Sequence, residues 1–230
     1  MSRNLFITGT GTDVGKTYIA ALIVKKLAAT TKAGYYKAAM SGNIRDEYDN
    51  LIPGDAKFVR DISGIAQSLE SMCPYVYENA YSPHLASRIE GNIVHMDYIL
   101  QRFNALTPQF DYLTVEGSGG ILCPIDYDIT GKRCPIFLED IIKAMKLSSV
   151  IVADAGLGTI NAVVLTAEYM KSHNLPVRGI IFNRYHKGSI MEEDNLYMCE
   201  KMTGLPILAC VSDNDTNIKI DDNILKGLYQ

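Results

Sequence analysis

The chain has little of what marks several large classes of protein. Its five cysteines, Cys73, Cys123, Cys134, Cys199 and Cys210, are odd in number and form no C-x-x-C pair, and only four histidines accompany them. That pattern indicates neither a disulfide framework nor a zinc site, so the thiols are read as buried or inert. Basic residues show no excess: 22 lysines and arginines against 26 acids leave a formal charge of -4. A partner with a polyanionic surface, whether nucleic acid or anionic membrane, is therefore not expected. Long apolar runs are missing too. The stretch Ile19 to Val24 falls far short of the ~20 residues that cross a bilayer, no signal-peptide pattern opens the chain, and a cytoplasmic protein is expected. Repeats, low-complexity tracts and Pro/Gly/Ser-rich linkers are also lacking, so residues 1–230 are read as one domain.

What is present is an ordinary core-forming composition, 47% hydrophobic and 21% charged, laid out as short β-rich runs alternating with helical patterns. Strands are expected at Asn4–Thr8, Gly34–Ala39, Asp111–Glu116, Ser149–Asp154, Val177–Asn183 and Pro206–Val211. Helices are expected at Lys16–Ala29, Asp55–Ile62, Ser82–Glu90, Met96–Leu106, Leu138–Lys146, Thr159–Lys171 and Met191–Met202. This order predicts an α/β fold, a mostly parallel sheet flanked by helices on both faces. Two polar stretches, Asn43–Gly54 and Ser212–Asn223, have no usable apolar period and read as a long functional loop and a solvated C-terminal segment.

Directly after the first strand comes Gly9-Thr10-Gly11-Thr12-Asp13-Val14-Gly15-Lys16-Thr17, opening into a helix. This is the context of a phosphate-binding loop. Glycines permit the turn, backbone N–H groups at a helix N-terminus converge on phosphate oxygens, Lys16 reaches the outer phosphates, and the Thr17 hydroxyl is suited to Mg²⁺. The match to G-x-x-x-x-G-K-[ST] is imperfect, because Thr10 stands where the first glycine belongs. Asp13 is the odd member, since a carboxylate in an anion-binding loop is costly unless it faces away from the phosphates toward an amine.

Ligands of a parallel sheet collect beyond the carboxyl ends of its strands. There the sequence offers Lys37, then Asp55 after the polar loop, and Glu116 followed by Gly117-Ser118-Gly119-Gly120. Thr17, Asp55 and Glu116 make a hard-oxygen set for Mg²⁺, although Asp55 could equally be a helix cap. Lys37 would neutralise charge in phosphoryl transfer or be a strand-end surface lysine. Gly156 to Asn161 repeats the strand, glycine turn and helix pattern without a lysine, as a carboxylate holder or a plain tight turn. Asn183 ends a strand with both a donor and an acceptor, which reading an adenine edge requires.

The motifs Thr8 to Thr17, Lys37 with Ser41-Gly42, Asp55-Ala56, Ser82-Pro83-His84, Val115 to Gly120, Gly156 to Asn161 and Asn183 occur in an order that resembles the dethiobiotin synthetases, P-loop ligases of biotin synthesis. The resemblance spans nearly the whole chain. It implies a single-domain P-loop NTPase-like fold and a homodimeric, Mg²⁺-dependent enzyme converting 7,8-diaminopelargonate, CO₂ (or bicarbonate) and ATP to dethiobiotin, ADP and phosphate. It implies catalytic roles for Lys16, Lys37, Thr12, Asp13 and Ser41, and nucleotide binding by Gly11 to Tyr18 with Asn183. Substrate contacts are implied at Ser41 and Gly119, with Gly158, Thr159, Ile160, Asn161 and Tyr197 holding the substrate carboxylate across the dimer interface. His84 is read as structural. The chain departs from the family in Asp13 for Glu, in Ala38 for Pro, and in Ser212 for a proline near the nucleotide base. Two other nucleotide-binding classes compete. Chromosome-partitioning ATPase switches usually carry a second lysine where this chain has Gly11, and amidotransferase-type synthases of the cobalamin pathway normally continue into a glutaminase domain.

Overall fold

The computed structural model describes residues 2–230. Six parallel strands form the central sheet: β1 (Arg3–Gly9), β2 (Ala33–Lys37), β3 (Tyr112–Glu116), β4 (Ser149–Asp154), β5 (Val177–Asn183) and β6 (Ile207–Cys210). Their spatial order is β6-β5-β4-β1-β3-β2. The chain runs from β1 to the edge strand β2, returns through β3, then crosses to the other side, so β1 is interior and its carboxyl end opens at the point where the winding reverses. Such a crevice is where ligands of open α/β sheets bind.

Nine helices are described: α1 (Lys16–Ala28), α2 (Gly54–Ser63), α3 (Leu69–Met72), α4 (Pro83–Glu90), α5 (Met96–Leu106), α6 (Leu138–Met145), α7 (Thr159–Ser172), α8 (Ile190–Thr203) and α9 (Asp222–Leu228). They cover both faces, which explains why the strands read as nearly continuous apolar runs rather than as alternating ones. Successive strand side chains point to opposite faces. Leu5 and Ile7 join α1, α2 and α9 in one core, whereas Phe6, between them, joins α5, α6 and the C-terminal half of α7 in the other. Among the described residues no helix is long and apolar enough to cross a membrane.

The predicted strands and helices of the central layers are present, with ends shifted by up to two residues. The second strand stops at Lys37 rather than running to Ala39; Ala39–Met40 instead pairs with Tyr75–Val76 as a separate short ladder. The stretch Asn43–Gly54, read as a long functional loop, carries a small antiparallel ladder of its own, Ile44–Arg45 with Leu51–Ile52. Buried Asn43 clasps this excursion at its base, donating to the Met40 and Tyr77 carbonyls and accepting from the Gly54 amide. Ser212–Asn223 is not simply solvated. Ile218 and Ile220 are buried in the core beside α1, and Asp221 caps α9 by accepting from the Asn223 and Ile224 amides. Of the cysteines, Cys73 and Cys199 are buried, Cys123 and Cys210 are half-buried, and Cys134 is exposed, so burial holds for only part of the set.

Candidate active site

The loop after β1 is shaped by close contacts that only glycine allows at two places. A Cβ on Gly9 would lie 2.8 Å from Val14 and 2.9 Å from the Lys16 stem. Gly15 caps α1 at φ 91°, a left-handed conformation, and a Cβ there would run into the Asn183 amide. Asn183 in turn donates to the Val14 carbonyl at 3.2 Å, so the end of β5 clasps the loop from the side. Asp13 is exposed and also left-handed, at φ 60°, a conformation aspartate tolerates better than most residues. Lys16 folds back over the loop, its ammonium donating to the Gly11 carbonyl at 2.6 Å.

Glu116 lies beyond this loop as its acidic counterpart. Parallel pairing puts it opposite Ile7 of β1 on one side and Lys37 of β2 on the other. That register brings together an ammonium and a carboxylate, both buried: Lys37 Nζ is 2.6 Å from Glu116 Oε1 and 2.6 Å from Asp55 Oδ2 at the start of α2. The Thr17 hydroxyl donates to the same Glu116 Oε1 at 2.8 Å, and the Tyr35 hydroxyl donates to Oε2 at 2.8 Å. Both carboxylate oxygens are thus engaged, as a buried charge requires. Asp55 is not the cap of α2, a place held by Pro53.

Burial alone would lower the Lys37 pKa, but Glu116 and Asp55 outweigh it and hold the ammonium above its ordinary value. Lys16 is pushed the other way, by its burial and then by the neighbouring charge of Lys37. Burial raises Asp55, yet the Lys37 ammonium overrides it and leaves the carboxyl below its usual range. Tyr35 stays protonated, its pKa driven far up by burial and by the adjacent Glu116.

Loop and cluster form the floor of a cavity of about 1030 Å³. Of the residues expected from sequence, Thr12, Asp13, Gly15, Lys16, Thr17, Tyr18, Lys37, Ser41, Asp55, Glu116 and Gly119 line it. Gly11, Val14 and Asn183 support the loop without lining the cavity. Gly158 to Asn161 and Tyr197 lie elsewhere, at the N-terminus of α7 and on α8. His84 packs at the start of α4, its ring 2.9 Å from the Ser82 hydroxyl.

Sequence reasoning missed Tyr35, Phe58 and Arg184. Arg184 comes directly after Asn183, takes a left-handed backbone at φ 54° and pairs with Asp154 at 2.9 Å. Phe58 and Arg184 line the cavity. Tyr35 had a usable signal, because residues two apart on a strand share a face and Lys37 had already been singled out.

The donor set fits a magnesium-nucleotide. Among the described residues no group of three or more His, Cys, Asp or Glu is placed to hold a metal by itself. One hydroxyl and two carboxylates beside a phosphate loop are the smaller set that Mg²⁺ uses when phosphates and waters complete its shell.

Comparison with known proteins bears on the family and on the fold. A family model described as an AAA domain matches residues 3–219. The chain is 45% identical over 231 residues to a protein of Brachyspira hyodysenteriae named ATP-dependent dethiobiotin synthetase, covering 100% of each. It is 46% identical over 230 residues to a protein of the same name from Clostridium botulinum, covering 100% of this chain and 99% of that one. Among solved structures, a ParA family ATPase from Chlorobium tepidum superimposes with a TM-score of 0.56 at 16% identity, over 94% of this chain and 86% of that one. The MinC:MinD complex of Aquifex aeolicus gives 0.55 at 12% identity, over 93% of this chain and 82% of that one. At such identities these two likenesses concern the fold alone.

Proposed function

The chain belongs to the ATP-dependent dethiobiotin synthetases, and we propose that the cavity over the phosphate loop is where its ligase reaction takes place. It is an enzyme that uses ATP as co-substrate. The ParA family ATPase and the MinC:MinD complex share its fold at 16% and 12% identity, against 45% and 46% for the two synthetases.

The substrate chemistry runs through a carbamate. One amine of 7,8-diaminopelargonate adds to CO₂ and loses a proton to form it. A carbamate oxygen attacks the γ-phosphorus of ATP and ADP leaves, giving a carbamic-phosphoric anhydride. The second amine attacks the carbamoyl carbon and gives up a proton, phosphate departs, and the five-membered ureido ring of dethiobiotin closes. No covalent bond to the protein is needed, so catalysis is a matter of positioning and charge stabilisation.

The observation that carries this reading is the convergence of two buried lysines on one cavity, within reach of three hard-oxygen donors. Lys16 and Lys37 stabilise the charge of the transferring phosphoryl and the carbamate. Thr12 and Ser41 position the substrate, and Asp13, exposed at the cavity wall, orients an amine. Thr17, Asp55 and Glu116 would hold Mg²⁺, whose charge when bound would neutralise that of the phosphates. Gly158 to Asn161 and Tyr197 are assigned to the partner subunit's substrate, whose carboxylate fits the N-terminus of α7. Two features support this: the buried Thr159 hydroxyl finds no hydrogen-bond partner among the described residues, and Leu157, Leu165, Ile190 and Tyr197 are exposed on the α7–α8 side.

Replacing Lys37 tests the assignment. Lys37→Ala should lower kcat by about 10²–10³-fold, the scale of losing one preorganised transition-state contact, while ADP still binds in a calorimeter. Turnover that stays at the wild-type rate would remove Lys37 from the mechanism.

A further inference from the structure

We infer that Tyr35 is a positioning residue for this reaction, fixing which oxygen of Glu116 faces the phosphate end of the cavity. The inference rests on the reading above that Glu116 serves the metal-nucleotide. Tyr35 lies in the interior with no exposed surface, and its hydroxyl donates to Glu116 Oε2. Oε1 receives the Thr17 hydroxyl and the Lys37 ammonium, both of which line the cavity. The two oxygens of a carboxylate exchange by rotation about a soft terminal torsion. A phenol bound to one of them from the buried side stops that rotation and keeps the other turned outward.

Packing does not account for the hydroxyl, since phenylalanine would fill the same space in the core beside α1. The ring is also pinned at its base. The Tyr35 amide donates to Gln67 Oε1 at 2.8 Å, and Gln67 Nε2 donates to the Tyr35 carbonyl at 2.9 Å. β2 is an edge strand, and Gln67 supplies the two bonds a further strand would have made. Tyr35 is therefore held at the backbone and at the hydroxyl, with Glu116 as the only side chain its hydroxyl serves among the described residues. Partners of this kind, one step removed from a metal, commonly set ligand orientation and affinity.

The test uses the full-length Tyr35→Phe protein. ADP binding is measured by calorimetry with and without Mg²⁺, and turnover is measured across Mg²⁺ concentrations. The Mg²⁺ concentration for half-maximal effect should rise about tenfold or more, and kcat should fall by a comparable factor. ADP affinity without Mg²⁺ and the KM for diaminopelargonate should stay put. A lowered melting temperature with an unchanged Mg²⁺ response would mean a merely structural tyrosine and overturn the proposal. Glu116→Gln separates the two layers. If it leaves the Mg²⁺ response unmoved, the reading of Glu116 falls and the proposal with it; if it shifts the response and Tyr35→Phe does not, only the Tyr35 proposal falls. In the Glu116→Gln background, adding Tyr35→Phe should change the Mg²⁺ response no further, because the coupling runs through that one carboxylate.

Discussion

At the scale of single residues, the site is governed by one buried ammonium between two acids. Lys37 is matched by Glu116, which is fully buried, and by Asp55, which remains partly open to solvent. The pairing gives a pH dependence whose sign is fixed. The Asp55 carboxyl is held below its ordinary value of 3.8, so its contribution to stability is complete above that value and is lost as pH falls through the lower folded value. Melting temperature tracked from pH 6 downward should therefore fall less steeply below about pH 4 in Asp55→Asn than in the wild type; parallel curves would show the pair to be energetically silent. Much of this constellation is legible in the sequence. Lys16, Thr17, Lys37 and Glu116 each stand at a strand end or loop position where the chemistry is implied by the residue type. Tyr35 is legible only through Lys37, two residues on along the same strand face; taken alone, a tyrosine among apolar strand residues looks like packing. Arg184 is hidden for a different reason: its left-handed backbone turns it to the cavity wall, and no local pattern announces that.

At the scale of elements, the edge strand β2 carries an unusual demand, since it positions both Lys37 and Tyr35 with a neighbouring strand on one side only. Gln67 meets that demand by pairing with the Tyr35 backbone. Gln67→Leu leaves a backbone N–H and a carbonyl without partners in a buried setting, at roughly 1–3 kcal/mol for each group. A chain of this size should show it as a melting temperature lower by about 2–4 °C per kcal/mol, and an unchanged melting temperature would contradict the clamp. The long strands and helices are readable because their apolar runs and caps are strong. Ile44–Arg45, Leu51–Ile52 and Tyr75–Val76 are not, because two residues have no period. The stretch before α9 misleads for a related reason. Its two buried residues, Ile218 and Ile220, sit amid polar ones, and only the capping Asp221 marks the start of the helix.

At the scale of the whole molecule, β1 and β3 are neighbours in the sheet and deliver loop and glutamate to one crevice, while the residues that open α7 do not line it. If Gly158 to Asn161 complete a partner's site, activity depends on association. Leu165, largely exposed on α7, is the handle. Leu165→Arg puts like charges on both copies of a two-fold interface and should yield a monomer by light scattering, with its KM for diaminopelargonate raised and its ADP affinity kept. A monomer with full activity would return those residues to the status of a surface turn. The sequence points to that turn but not to its use, because a helix N-terminus looks alike whether it holds a ligand or only faces solvent.

Phosphate release is the most direct probe of the whole account. Wild-type protein with Mg²⁺-ATP is assayed with and without diaminopelargonate and bicarbonate, and the product is weighed by mass spectrometry. Release that requires both additions, with one cyclised urea formed per phosphate, is the predicted result. Slow release indifferent to either addition would leave a phosphate loop and two lysines in place, and would contradict their assignment to ring closure.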